Sequence, residues 1–162
     1  MALSDFTTSI LVDQSPEETF KAINNVRGWW SESIEGSTDH DKARFDYHYE
    51  DVHHCQMEII EFTPNKKVVW YVKQNYFKFT QDTSEWTGTK ISFEISRKDD
   101  KTLVVFTHHG LNPQEECYEV CRDSWTNYIG HSLYELITLG QGKPNAKGAP
   151  RTDNERRLGS VQ

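Results

Sequence analysis

Hydrophobic and polar positions change their spacing several times along this chain, and each change marks an element. From Asp5 to Asp13, Phe6, Thr8, Ile10 and Val12 fall on one side at period two, the pattern of a half-buried strand. Ser15-Pro16-Glu17-Glu18 then offers a serine N-cap, a proline at the first helical position and a glutamate three residues after the cap, which together satisfy the orphan amides of a helix start. Phe20, Ile23 and Val26 supply that helix's apolar stripe. Asn24-Asn25 and Gly28 break it, leaving Trp29-Trp30 in a short turn or second helix.

From Ala43 to His109 the pattern is almost entirely strand. Tyr47 and Tyr49 alternate with Asp46 and His48; Cys55, Met57 and Ile59 alternate with Gln56 and Glu58; Val68, Trp70 and Val72 follow a Pro64-Asn65 turn. Ile91, Phe93 and Ile95 alternate with Lys90, Ser92 and Glu94, and after a charged turn at Lys98 to Lys101 a last strand runs from Leu103 to His108. Connections this short predict an antiparallel meander of about six or seven strands. Gln74 to Gly88, with Tyr76, Phe77, Phe79 and Trp86, reads as a strand followed by a mobile loop.

Pro113 opens a helix predicted to run to Leu139. At about 100° per residue, Tyr118, Cys121, Trp125, Ile129, Ser132, Leu136 and Leu139 cluster round one direction. Tyr128, Leu133 and Ile137 widen the apolar arc to roughly 200°, about twice what a flat surface requires. The pattern therefore predicts an α+β fold in which a curved sheet touches this helix on both flanks. Beyond Gly142 the composition turns to Lys, Arg, Asn, Pro and Gly, so the expected organisation is one domain over 1–143 and a flexible or surface-draped tail over 144–162.

The 162 residues suit a single core, and the 12% aromatic content implies that a few large side chains fill it. A net charge of -7 argues against a nucleic-acid backbone or an anionic membrane as partner. No apolar run approaches a membrane span and the N-terminus lacks a signal pattern, so a cytoplasmic location is expected. The three cysteines, Cys55, Cys117 and Cys121, fit a reducing compartment with no disulfide.

Four segments carry a family likeness: "PEETFKAINNVRGWW", "EWTGTKISFEIS", "LVVFTHHGL" and "SWTNYIGHSLYELITLGQGKPN". In that order they resemble the START-like (SRPBCC) superfamily, and within it the bacterial single-domain relatives of the activator of heat-shock protein 90 ATPase, over about residues 5 to 145. The resemblance implies a helix-grip fold, two short helices after the first strand, a largely apolar cavity between sheet and long helix, and no cofactor. It leaves function open, because the superfamily holds lipid carriers, receptors, cyclases and co-chaperones alike.

The expected activity is non-catalytic binding of a small, largely apolar or amphipathic molecule in that cavity. Trp30, Tyr47, Met57, Trp70, Phe93, Val105, Trp125, Tyr128 and Ser132 are the candidate wall, and His48 and Arg122 the polar candidates. Arg122 projects about 60° from Trp125 on a straight helix. It is an anion anchor, half of an ion pair with a strand acid such as Asp46 or Glu58, or a side chain that snorkels out at the cavity mouth. The Ser132 hydroxyl either bonds the carbonyl one turn back or faces a ligand. Cys117 and Cys121 with a histidine could hold zinc, but adjacent strand histidines point to opposite faces, so no metal is assigned. His48, His108 or His109 could serve as a general base, yet no nucleophile elbow or phosphate loop accompanies them. The alternative to ligand binding is a protein-interaction module acting on a chaperone, and a homodimer is compatible with either.

Overall fold

The computed structural model describes residues 5–49 and 52–144. The expected tail therefore lies, but for Pro144, outside the described residues. Strand β1 (Phe6–Val12) leads into α1 (Pro16–Asn24) and a single-turn α2 (Val26–Trp29). The cap forms as the sequence requires: the Glu18 amide donates to Ser15 Oγ at 3.1 Å and the Ser15 hydroxyl donates back to the Glu18 carboxylate at 3.3 Å.

Six further strands follow: β2 (Glu35–Gly36), β3 (Arg44–Tyr49), β4 (His53–Thr63), β5 (Lys67–Phe77), β6 (Lys90–Lys98) and β7 (Lys101–His109). All pairings are antiparallel, in the spatial order β1-β7-β6-β5-β4-β3-β2, so the chain's first strand closes on its last. Two bulges bend the sheet. Ile60 is the extra residue where Ile59 faces Trp70 and Glu61 faces Val69, and Lys73 is the extra residue where Met57 faces Val72 and Gln56 faces Gln74. The Lys73 bulge returns Asn75 and Phe77 to the concave face, and the Ile60 bulge leaves that isoleucine 43% exposed.

The last helix differs from the predicted one in two ways. It starts at Tyr118, not Pro113, because the Glu116 and Cys117 amides donate to the Glu85 carboxylate of a neighbouring loop instead of extending a regular turn. It is also interrupted: α3 (Tyr118–Asn127) passes into a π-helical turn (Tyr128–Leu133) before α4 (Tyr134–Leu139). A π turn inserts one residue and rotates everything after it by one position. The buried stripe thus steps from Cys121 and Trp125 to Tyr128 and Ile129, then Leu133 and Ile137, while Leu139 is 76% exposed. The broad predicted arc resolves into a pair of narrower stripes that differ in phase. The π turn and α4 also pack on β1, α1 and α2.

The core is one continuous aromatic block. Trp30 stacks on Tyr47 at 4.3 Å between ring centres and on Trp70 at 5.9 Å; Trp70 continues to Trp29; Trp125 touches Trp30 at 5.1 Å and stacks on Trp86 at 5.6 Å. All five tryptophans thereby form a chain across the concave face, each contact adding about 0.5–1.5 kcal/mol beyond area burial. No helix among the described residues is long and apolar enough to cross a membrane.

Candidate functional site

A cavity lies where β3, β4, the end of β5, the 78–89 loop and α3 converge. Its walls are mainly aromatic, with Trp30, Tyr47, Phe77, Trp86, Trp125 and Tyr128 among them and His53, Cys121 and Ser124 interspersed. About 40 Å³ of free space remains, which is room for about three water molecules. In this state the cavity is a slot between rings and not a lipid-sized tunnel.

The buried polar groups of this region have assignable roles. The Trp125 indole N–H donates to His108 Nδ1 at 3.2 Å, His108 Nε2 lies 2.9 Å from Thr89 Oγ1, and the Thr89 hydroxyl donates to the Trp86 carbonyl at 2.6 Å. Thr89 can give only one proton, so His108 is the Nε2–H tautomer with both nitrogens engaged. Burial, then the neighbouring histidines, lowers its pKa to about 3. A neutral, saturated imidazole of this kind is a poor general base.

His53 pairs with Asn75 Oδ1 at 2.8 Å, which makes its Nε2 the donor, and burial again lowers its pKa to about 3 against the raising effect of that bond. Burial also pushes the Cys121 and Cys55 thiols well up, so neither offers a thiolate. Trp86 is 5% exposed, and its indole N–H has no conventional acceptor; it lies beside the Cys121 sulfur, a weak one.

Of the candidate wall, Trp30, Tyr47, Trp125 and Tyr128 line the cavity. Met57, Trp70 and Phe93 lie deeper, sealed in the core at 1% exposure or less. Val105 faces outward, because β7 buries Val104, Phe106 and His108 and turns Leu103, Val105 and Thr107 to the convex side. His48 is also on the convex side, where its Nε2 sits 2.7 Å from Nε2 of His54 across the strand pair.

Arg122 is exposed, pairs with the adjacent Asp123 at 3.1 Å and lies over the Tyr118 ring at 5.8 Å. The strand-acid pairing does not form and the side chain lies outward, as in the snorkelling alternative, since the π turn removes the later residues that had pulled the expected helix face towards Arg122. Ser132 does neither expected thing: its hydroxyl donates to the Trp29 carbonyl at 2.7 Å and accepts the Lys143 amide at 2.7 Å. It ties the π turn to α2 and to the returning chain, where Gly142 approaches so closely that a Cβ would stand 2.4 Å from the Gly28 carbonyl oxygen.

Sequence reasoning missed Tyr49, Val52, His53, Phe77, Phe79, Trp86, Val120, Cys121 and Ser124 as cavity residues. The signal for Trp86 was available, since one large apolar residue in a polar stretch of Asp, Ser, Thr and Gly needs somewhere to be buried. Among the described residues, no group of three His, Cys, Asp or Glu side chains is arranged to hold a metal ion. His48, His108 and His109 do not converge either: His108 points inward, His48 and His109 outward.

A curved antiparallel sheet gripping a C-terminal helix, with two short helices after β1, defines a START-like helix-grip domain. The chain belongs to the family described as activator of Hsp90 ATPase homolog 1-like protein, whose profile matches residues 13–138. A search of curated proteins finds no match. Among solved structures, the Aha1 dimer of Colwellia psychrerythraea is similar at 22% identity and a TM-score of 0.68, covering 86% of this chain and 100% of that one. Protein MLL2253 of Mesorhizobium loti aligns at 14% identity and a TM-score of 0.62, covering 82% of this chain and 96% of that one. DynU16, from the dynemicin biosynthetic locus, aligns at 11% identity and a TM-score of 0.61, covering 85% of this chain and 48% of its own. Likeness at these identities speaks for the fold.

Proposed function

We propose that this protein binds a small, largely apolar molecule in the aromatic cavity between sheet and α3, without covalent chemistry. The observation that carries the reading is the Trp86 indole N–H: a donor on the cavity wall, nine-tenths buried, with no conventional acceptor. Such a group costs about 1–3 kcal/mol to leave unmade, and a ligand carbonyl or ether oxygen at this wall would recover it. The surrounding rings favour a flat, apolar body behind that acceptor. The present slot is too small for such a body, so binding requires the wall to move, and the 78–89 loop that carries Phe79 and Trp86 is the longest part of the wall outside regular structure.

Native mass spectrometry of the purified protein, with a thermal-shift panel of hydrophobic acids, lipids and aromatics, tests this. A retained small molecule, or a compound that raises Tm in the parent and raises it less in Trp86→Phe, is the expected result. No retained mass and no stabilising compound would remove the proposal.

The family's description supports a second reading, a protein-interaction module that stimulates a chaperone's ATP turnover. Addition of this protein to a chaperone ATPase at micromolar concentration decides it, since unchanged turnover and no binding leave that reading without support. A self-associated form, which the dimeric relative brings to mind, is checked by the mass in solution.

A further inference from the structure

Residues 78–89 leave β5 after Phe77 and return to the sheet at Lys90, and two of them, Phe79 and Trp86, form part of the cavity wall. Most of the remainder is exposed, including Gln81 to Ser84, Thr87 and Gly88. Gly88 adopts φ +85° in open space, and there the loop turns back to pair with Val72. The loop's apolar anchoring is confined to Phe79, which meets Phe77, and to Trp86, which packs on His53, Phe77, His108 and Trp125; between those two rings it is held by polar attachments.

Backbone bonds fix its two ends, the Lys78 amide donating to the Val52 carbonyl at 2.9 Å and the Gly88 amide to the Val72 carbonyl at 2.8 Å, and its middle is attached by an exchange of carboxylates with the approach to α3. Glu85 accepts the Glu116 amide at 2.7 Å and the Cys117 amide at 3.0 Å. Glu116 in return accepts the Gln81 amide at 3.0 Å and the Asp82 amide at 3.1 Å. Each segment thus satisfies amides that the other would leave bare, and charge-assisted bonds of this type are among the stronger ones.

The seam is acidic from both sides. Asp82 and Glu85 face it from the loop, Glu115 and Glu116 from the start of the helix, and no ion pair among the described residues reaches any of them. The Cys117 and Cys121 thiols complete the helix side, and the Glu85 charge helps to keep Cys121 protonated. Burial first, then a hydrogen bond to Glu85, then the charges of Glu85 and Asp82 push Glu115 up to about 7. Below about pH 7, therefore, the Glu115–Glu85 pair retains a proton.

We propose that residues 78–89 are a hinged door over the cavity, latched to the start of α3 by Glu85 and Glu116, and that the latch loosens when Glu115 ionises. The role of a door rests on the ligand-binding reading; the latch does not. In the closed state Glu115 prefers its proton, whereas in an open, solvated seam it returns towards an ordinary carboxylate. The closed state is accordingly favoured at low pH and loses that advantage as pH rises from about 4.5 to about 7, with nothing further to lose above. Water reaches Glu115 and screens part of the effect, so a change of about threefold is expected, less than the full shift would give.

Hydrogen exchange of the full chain at pH 6 and pH 8, corrected for intrinsic chemical exchange, reads the door directly. Protection of residues 78–89 should fall about threefold between the two, relative to the β6–β7 ladder. Glu115→Gln keeps a donor to Glu85 and removes the charge, so its door should stay closed with a flat profile. Glu85→Ala should open the loop at both pH values. A Glu115→Gln profile as steep as the parent's, or a loop in Glu85→Ala as protected as before, overturns the proposal; if Glu85→Ala does not fold, the Glu115→Gln comparison decides alone. Indole, added as a probe at both pH values, separates the two ideas: opening with pH but no indole binding upholds the latch while counting against ligand binding.

Discussion

The two ends of the interior are built from the same kinds of side chain and finished differently. Beneath α2 and the π turn, Trp29, Trp70, Phe45, Phe93, Met57 and Ile59 are sealed at 1% exposure or less, and the backbone is drawn together by the Ser132 hydroxyl and the Gly142 contact. Beneath α3, equally large rings leave free space, and the segment opposite is a loop held by carboxylates. Even the two indole N–H groups that lack a conventional acceptor differ. That of Trp70 sits among the rings of Phe45, Phe93, Trp29 and Trp30, whose faces can accept weakly, whereas that of Trp86 borders the cavity. Aromatic bulk therefore does not decide where a cavity forms; backbone closure does. The Lys73 bulge and the 78–89 loop belong to the open end, and the π turn marks the junction.

Acid should break the open end first and by the most. His53 and His108 both lie there, and both are held neutral by burial, with pKa values near 3 against an ordinary 6.5. A base whose pKa is depressed on folding contributes stability that is present above 6.5 and lost as pH falls towards 3. Roughly 2 kcal/mol for each histidine should disappear between pH 7 and pH 4.5, allowing for relaxation around the buried charge. Urea unfolding at those two pH values measures the sum, and His108→Gln should flatten the slope by about half whatever its starting stability. An unchanged slope in that variant would show that His108 does not titrate with unfolding.

Truncating one tryptophan at each end sharpens the same comparison. Trp29→Ala opens a void in the sealed block and strands the Ile23 carbonyl that its indole N–H now satisfies, so a loss of about 3–5 kcal/mol is expected. Trp86→Ala removes a ring from a wall that already borders space and a donor held only by the weak Cys121 acceptor, so a smaller loss of about 2–3 kcal/mol is expected. Equal losses in denaturant unfolding would mean that the cavity end is packed as tightly as the other.

Much of this architecture was legible in the chain. Period-two alternation located the long strands, and the Ser15–Glu18 box located α1, because those signals are local. The phase of β7 was not, since Leu103-Val104-Val105-Phe106 is apolar throughout and shows no alternation; only pairing with β1 and β6 turns Val105 outward. His48 did alternate correctly with Tyr47 and Tyr49, and its position opposite the aromatic face could have excluded it from the wall. The π turn escaped because Tyr128 to Leu133 reads as ordinary helix, and an inserted residue has no compositional mark. Its one-residue rotation misdirected the reading of Arg122 and Leu139 alike.

The smallest expected effect tests that last point. Arg122 lies on α3 above the cavity end, yet among the described residues its guanidinium meets only Asp123 and the Tyr118 ring, at the surface. An exposed pair of adjacent residues contributes little, because water screens both charges and both side chains must be ordered to meet. Arg122→Ala should therefore change stability by less than about 0.5 kcal/mol and leave the affinity for indole, or for any anionic compound that the panel finds, within a factor of about two. A tenfold loss of affinity confined to anionic compounds would mean that the side chain swings inward when the cavity fills, and that the guanidinium belongs to the site after all.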